Sequence, residues 1–373
     1  MEYRGRTRLL ILQGSPFCNI NCDYCYLPAR SDRSRMSFET LAATIRWVVR
    51  EELAAENLTV VWHAGEPLVL PVSWYRDAAA VIRRETPGNR GFPHSIQTNG
   101  MLINDEWCDF FLDEHVNVGV SIDGPAWLHD ARRRTRSGKG THEAALRGIS
   151  ILQRRGIPFH VICVITESTL SAADELMTFF LSRNITRIGF NIEEIEGVNP
   201  RSSLAVGDVD KRFREFFGTL IDCALRHTTP VDLREVEMMG RTLTDPLYGL
   251  RTGNSLNTPF ETVTISWAGD IFTFSPELAG LHTDQYTSFD VGNVKDACLS
   301  DIVISERFRT LASEIRVGVQ HCKSSCEYFN VCGGGAPVNK LYELGRFDGT
   351  ETLYCRLTQK AITDAVLSRS RLN

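Results

Sequence analysis

Leu9-Leu10-Ile11-Leu12-Gln13-Gly14-Ser15-Pro16-Phe17-Cys18-Asn19-Ile20-Asn21-Cys22-Asp23-Tyr24-Cys25 is the stretch on which the reading of this chain turns. Leu9 to Leu12 is an apolar, strand-like run, and three cysteines follow it within eight residues. A tetrahedral structural zinc site takes four ligands, and neither Asp23 nor the distant His63 is an evident fourth. A cubane iron–sulfur cluster has four irons, so three cysteines leave one iron open to bind and activate another molecule. The spacing therefore points to a catalytic cluster with a vacant site, with structural or zinc-binding cysteines as the plainer alternative.

Working outward, short β-rich runs alternate with longer amphipathic ones as far as about Asn191. The pattern predicts strands at Arg8 to Leu12, Leu58 to Trp62, Ser95 to Thr98, Asn117 to Ile122, His160 to Ile165 and Arg187 to Asn191. Between them it predicts helices at Phe38 to Ala55, Ser73 to Arg84, Asp105 to Glu114, His142 to Arg155 and Ala172 to Arg183, several entered through a Ser, Thr, Asn or Asp cap. Such alternation implies an α/β fold with a parallel sheet covered by helices. Loops at the carboxyl ends of parallel strands are where these folds place chemistry, and the cysteine loop follows the first strand. Periodicity alone leaves open a barrel or a doubly wound sheet. After Asn191 a helix at Val209 to Arg226 leads into an irregular segment, Thr228 to Asn257. A β-hairpin is then predicted from Thr262 to Ser266 and Ile271 to Phe274, joined by Trp267-Ala268-Gly269-Asp270. The expected boundary lies near residue 230, dividing the chain into 1–230 and 231–373.

The Cys-x3-Cys-x2-Cys loop, with Tyr24 before its last cysteine, resembles the signature of radical S-adenosylmethionine (radical SAM) enzymes. The resemblance implies a partial six-stranded (β/α) TIM barrel with a [4Fe-4S] cluster on Cys18, Cys22 and Cys25, and SAM at its open iron. His63-Ala64-Gly65-Glu66-Pro67, after the second strand, is similar to the Gly-Gly-Glu-Pro segment that holds the methionine amino group, with Ala64 in place of the first glycine. Gly65 permits a special backbone angle, Glu66 is suited to accept from an ammonium, and Pro67 stiffens the turn. By the same resemblance Thr98 and Asn99, ending the third strand, and Ser121 and Asp123, ending the fourth, contact the ribose and carboxylate of SAM. Arg133 pairs with that carboxylate or with substrate. Each of these is equally an ordinary Asn-Gly or Asp-Gly turn or surface loop when taken alone.

A second cysteine group, Cys322, Cys326, Cys332 and Cys355, offers four thiolates, with Gly333-Gly334-Gly335 where backbone must approach closely. A zinc ribbon fits four cysteines as well. The group resembles the auxiliary-cluster region of the SPASM branch of radical SAM enzymes, which modify peptides and proteins. That pattern has further cysteines where this chain has Ser275 just past the hairpin and Ala336 and Pro337 after Cys332. Serine ligates iron poorly beside thiolate, so one auxiliary [4Fe-4S] cluster is expected. Cys298 is a possible stray ligand, and Cys108, Cys163 and Cys223 sit in apolar patterns as core.

The chain has 373 residues, 43% of them hydrophobic, enough for a large barrel with an appended module. Its 41 basic and 46 acidic residues give a net charge of −5, which argues against a nucleic-acid binder. The run Arg132-Arg133-Arg134 with Arg136 and Lys139 reads as a solvated loop or an anion contact. The start, Met1 to Arg4, is charged and no apolar h-region precedes Leu9, and no window approaches a membrane span; a soluble, cytoplasmic protein without a membrane partner is expected. Eleven cysteines in such a chain mean metal rather than disulfides.

The implied activity is reductive cleavage of SAM to a 5′-deoxyadenosyl radical, which takes hydrogen from a substrate C–H bond. The stretch from Cys326 to Lys340, with Thr350-Glu351-Thr352 and Cys355-Arg356, looks like the maturases that build cyclophanes by crosslinking an aromatic ring to a β-carbon in ribosomally made precursor peptides. An electron donor of the flavodoxin or ferredoxin type is implied. Two alternatives stay open: a radical SAM enzyme acting on a small molecule such as a nucleoside or sugar, and an iron–sulfur sensing or binding protein. Glu277 and Glu193, each beside a predicted strand end, are the acid/base candidates.

Overall fold

The computed structural model of the chain describes residues 3–283 and 286–370; Met1 and Glu2 of the charged start lie outside them. Six parallel strands run in chain order: β1 (Thr7–Leu12), β2 (Ala54–Trp62), β3 (His94–Thr98), β4 (Asn117–Ser121), β5 (Phe159–Ile165) and β6 (Arg187–Ile192). They alternate with α1 (Phe38–Arg50), α2 (Val72–Glu85), α3 (Asp105–Asp113), α4 (Ala126–Arg132), α5 (His142–Arg154) and α6 (Ala173–Leu181). All six strands therefore present their carboxyl ends along one edge, which brings the loops after them together.

The helices begin where side chains can satisfy free backbone amides: Ser37 accepts from Thr40 N at α1, and Asn104 from Trp107 N at α3. Their ends are less visible in sequence. The helix expected to reach Ala55 stops at Arg50, because Glu52 takes a left-handed conformation (φ 53°), with Leu53 N bonding Val48 O and Glu52 N bonding Val49 O. This paired closure is normally built on glycine, and Glu52 gives no such signal. The residues after it become the start of β2, which is longer than expected.

After α7 (Val209–Arg226), a short β7 (Asp232–Leu233) pairs with β6, and α8 (Arg234–Thr244) lies inside the segment expected to be irregular. The hairpin of β8 (Thr262–Ile265) and β9 (Asp270–Thr273) forms as expected, and β8 runs parallel to β1, Leu9 facing Thr262 and Leu12 facing Ile265. With β10 (Gly292–Asn293) the sheet reaches ten strands, in the order β10-β9-β8-β1-β2-β3-β4-β5-β6-β7. The remainder is helical: α9 (Leu299–Ile304), α10 (Glu306–Ser325), α11 (Phe329–Cys332), α12 (Pro337–Leu344), a π-helical stretch Cys355–Ala361, and α13 (Ile362–Ser370). This region has an apolar cluster of its own around Phe274, Phe289, Leu311 and Phe347. The last helix returns to α7, where Arg369 pairs with Asp222 at 2.7 Å.

Candidate active site

Chain segments from four strand ends meet at the cysteine loop. Its backbone is tied down at every cysteine: Cys18 N bonds Arg30 O, Arg136 Nε donates to Cys18 O at 2.9 Å, and Arg30 Nη1 donates to Cys22 O at 2.9 Å. Asn21 N and Asp23 N bond the carbonyls of Arg134 and Arg132. The basic run expected as a solvated loop or anion contact is thus a clamp on the cysteine loop, because its backbone pairs with that loop across Ile20 and Thr135.

All three thiols are free. Burial and the nearby Glu66 push the Cys18 thiol up to about 12. Burial pushes Cys22 up to about 11, with Arg133 opposing. Bare, these groups keep their protons, and iron must displace them. Among the described residues no three His, Cys, Asp or Glu side chains converge closely enough to hold a single metal ion.

The loop after β2 packs directly onto the cysteine loop. Glu66 N bonds Phe17 O, and a Cβ on Gly65 (φ 141°) would sit 2.3 Å from Ser15 O, so only glycine allows this approach. Ala64 is fully buried at φ 66°, a conformation costly for any side chain. Glu66 is committed inward: Oε1 accepts from Thr98 Oγ1 at 2.6 Å and Leu68 N at 3.0 Å, and Oε2 from Asn99 N at 2.8 Å. Burial raises its carboxyl despite those bonds. Pro67 opens the short turn that follows and its carbonyl accepts from Tyr75. Asn99 Nδ2 reaches the cysteine loop at Asn19 Oδ1, 2.7 Å away, and Ser121 Oγ accepts from Gln97 Nε2 at 2.9 Å.

Asp123 is the hub beneath Cys22. Its Oδ2 accepts from Tyr24 OH at 2.5 Å and Arg133 Nε at 2.9 Å, and its Oδ1 from Val164 N at 3.0 Å. Burial pushes this carboxyl up, but Arg133, His129 and the two hydrogen bonds outweigh it and hold it below the usual range. Arg133 lies over the Tyr24 ring, 5.4 Å from its centroid, with Nη1 3.9 Å from Cys22 Sγ. His129 completes the network. Its Nδ1 accepts from Asp123 N, so Nε2 carries the proton and donates to Thr141 Oγ1, which donates to Arg133 O. Burial drops His129 to about 4, in keeping with a neutral ring.

The two acid/base candidates part company. Glu193 is tied to Ser203 N at 2.8 Å and lies 3.7 Å from Arg132. Glu277 is half-buried and accepts from Ser275 Oγ and its own backbone amide, and burial raises it. Ser275 is itself 2% exposed and spends its hydroxyl on Glu277. Sequence reasoning missed Glu194 and Glu196, although the run Glu193-Glu194-Ile195-Glu196 stands in plain view. Glu196 is buried and Glu194 half-buried beside Glu277, where desolvation, with carboxyl neighbours adding to it, pushes Glu194 up to about 8 and Glu196 well above its usual range.

In the carboxy-terminal region burial raises the Cys332 thiol, with Cys326 and Cys322 nearby adding to it, and burial raises Cys355, with Cys332 adding to it. Gly334 N donates to Cys332 Sγ at 3.4 Å, and the buried Lys340 Nζ donates to Cys322 Sγ at 3.4 Å. Asn254 and Asn257, in the segment read as irregular, hold this turn through the carbonyls of Cys332, Gly333 and Gly335. Cys298 pairs instead with Ser300 at 3.0 Å. Cys108 and Cys163 are core, but Cys223 is only half-buried, because its sulfur faces Asp174 and Arg226 at the helix surface.

The radical SAM superfamily model matches residues 12–180. Protein sll1766 of Synechocystis sp. is 38% identical over 97% of this chain and 92% of its own length. The chain belongs to the radical SAM superfamily. The serine-type anaerobic sulfatase-maturating enzyme of Bacteroides thetaiotaomicron is 25% identical to this radical SAM protein, over 87% of the chain and 81% of its own. The solved structure of native anSMEcpe with bound AdoMet and Cp18Cys peptide shares the fold, with a TM-score of 0.77 over 97% of each chain at 19% identity. The radical SAM family implies a [4Fe-4S] cluster and SAM, and the donor set described above fits them: three thiols on one pinned loop, an arginine beside the middle one, and polar strand ends around them. Among the described residues no helix is long and apolar enough to cross a membrane.

Proposed function

We propose that this radical SAM enzyme modifies a ribosomally made precursor peptide, joining an aliphatic side-chain carbon to a neighbouring aromatic ring to form a cyclophane. The observation that carries the reading is the pairing of a three-thiol loop at the strand ends with a separate four-cysteine group in one chain. Similarity along most of its length to a sulfatase-maturating enzyme adds a relative whose name states that it acts on a protein.

In this reading Cys18, Cys22 and Cys25 hold the catalytic [4Fe-4S] cluster, and Cys322, Cys326, Cys332 and Cys355 in the part from residue 231 onward hold one auxiliary [4Fe-4S] cluster. When bound, the first cluster with SAM supplies a radical that takes hydrogen from an unactivated carbon, and the second supplies an electron acceptor. The chain's own residues do the rest. Asn99 and Ser121 keep polar atoms at the strand ends for the SAM ribose and carboxylate, while Tyr24, Ala64, Gly65, Glu66, Pro67, Thr98, Asp123 and Arg133 fix the loops around it. Glu277, half-buried with one hydroxyl partner and raised by desolvation, is suited to take the proton the ring gives up on rearomatising. A flavodoxin- or ferredoxin-type protein delivers electrons.

Anaerobic reconstitution tests this directly. About eight irons per chain, SAM-dependent 5′-deoxyadenosine, and a neighbouring-gene peptide made lighter by two hydrogen atoms are expected. About twelve irons would overturn the single auxiliary cluster, and 5′-deoxyadenosine formation with every nearby peptide left unchanged in mass would overturn the crosslinking step.

A further inference from the structure

Glu194, Glu196 and Glu277 are provided for more sparsely than the acids around the cysteine loop. Asp123 has Arg133, Glu193 has Arg132 and Ser203, and Glu66 has three donors. The half-buried Glu194 has one neutral partner, Asn339 Nδ2 at 2.6 Å, and the half-buried Glu277 has Ser275 and its own backbone amide. Glu196 is 7% exposed, and no hydrogen bond or ion pair to its carboxyl is found among the described residues; its electrostatic neighbours are Glu194, Glu277, Cys25 and Glu343, all of its own sign. Arg356, Arg234 and Lys340 are committed elsewhere: Arg356 to Asp210 at 3.2 Å, Arg234 to Asn191 and Phe190 O, and Lys340 to Gly318 O and Cys322.

The placement is next to the chemistry. Val198 N bonds Tyr26 O, and a Cβ on Gly197 would fall 2.2 Å from that same carbonyl, so the segment bearing Glu196 is pressed onto the residue following Cys25. An ionised carboxylate buried without a partner is strongly unfavourable, and like charges alongside make it worse. The acids are not gathered tightly enough for a metal ion among the described residues. What such an arrangement lacks is a positive group on a flexible stem, able to donate to two carboxylates at once.

We propose that Glu194 and Glu196 form an anionic subsite, beside Glu277 and Cys25, that receives a cationic side chain of the substrate, a guanidinium or an ammonium. The inference rests on the peptide reading above and narrows it: the substrate carries a basic residue close to the carbon that loses hydrogen. Binding the cation favours loss of the carboxyl protons, pairs with the carboxylates so formed and orients the substrate over the cluster loop.

The test uses the anaerobically reconstituted enzyme and agmatine as the probe, with N-butylurea as a neutral molecule of similar length. Agmatine raises the thermal midpoint by about 2 °C or more at saturation, N-butylurea does not, and Glu196→Gln abolishes the rise. Glu196→Gln also melts higher than the parent enzyme without agmatine near neutral pH, because it removes the cost of holding that carboxyl protonated in the folded chain; a merely structural glutamate would lower it. Glu194→Gln provides the same readout independently if Glu196→Gln folds poorly. No agmatine effect on the parent enzyme, an equal effect of N-butylurea, or an undiminished effect in both variants overturns the subsite. SAM cleavage measured on the same preparation is a separate outcome: its absence would strike the functional reading and leave the cation result standing.

Discussion

Two buried clusters of charge flank the cysteine loop, and they are built on opposite rules. Around Cys22, the carboxylate of Asp123 meets Arg133, Tyr24 and a backbone amide, and even the neutral tautomer of His129 is fixed by partners on both nitrogens. Beside Cys25, Glu194, Glu196 and Glu277 lie together with no cation and only neutral partners among them. The first cluster is complete without any guest, as a scaffold must be if it is to hold a reactive loop in one geometry. The second is complete only when something is added, as a receptor must be.

The largest effect that sharpens this contrast is at the thiols. Replacing Cys18, Cys22 or Cys25 by alanine is expected to lower SAM cleavage at least a thousandfold, to background, read by 5′-deoxyadenosine formation, with the iron content of the auxiliary group retained. Next comes the complete cluster. Asp123→Asn leaves Arg133 buried without its counter-charge and costs about 3–5 kcal/mol in chemical denaturation. A loss below about 1 kcal/mol would break the claim that this network is the scaffold.

A smaller effect distinguishes the incomplete cluster by pH. Glu194, pushed up to about 8 by burial, keeps its proton in the folded protein while the unfolded chain has lost it above the ordinary glutamate value of 4.5. The folded state therefore binds more protons in that window, and stability falls as pH rises from about 4.5 to about 8, then levels off. Glu194→Gln flattens that fall in thermal melts. His129, dropped to about 4, acts in the opposite sense: its contribution improves as pH rises from about 4 to its ordinary 6.5 and is constant above it. A decline confined to pH above 6.5 therefore belongs to the acids. The smallest effect is Ala64→Gly, which relieves a left-handed alanine and stabilises the protein by about 1 kcal/mol, measured by denaturant midpoint.

How far the sequence carried the reading follows the same division. Strand positions and the cysteine loop were legible because β-rich runs and thiol spacing are local signals. The end of α1 was not, where Glu52 takes the left-handed turn that glycine would have announced. The clamp made by Arg132, Arg134 and Arg136 could not be seen, since a basic run looks the same whether it is solvated or paired across more than a hundred residues. Glu193 was named and its neighbours Glu194 and Glu196 were not: which glutamates in one run face inward depends on how the chain leaves β6, and no periodicity records that. Asn254 and Asn257 fell in a stretch without pattern, and their role appears only once the glycine turn beside Cys332 is folded against them.

The place of β8 in the sheet has a consequence for birth of the protein on the ribosome. β1 needs β8 on its open side, yet the two are separated by some 250 positions of chain, Leu12 pairing with Ile265. At translation speeds of about 5–20 residues per second, that flank of β1 stays unzipped for roughly 12–50 s after it emerges. Throughout that interval the strand leading to Cys18 has an unsealed border, open to mispairing with other nascent chains. Iron insertion into a finished loop belongs to the end of synthesis, once the hairpin has arrived.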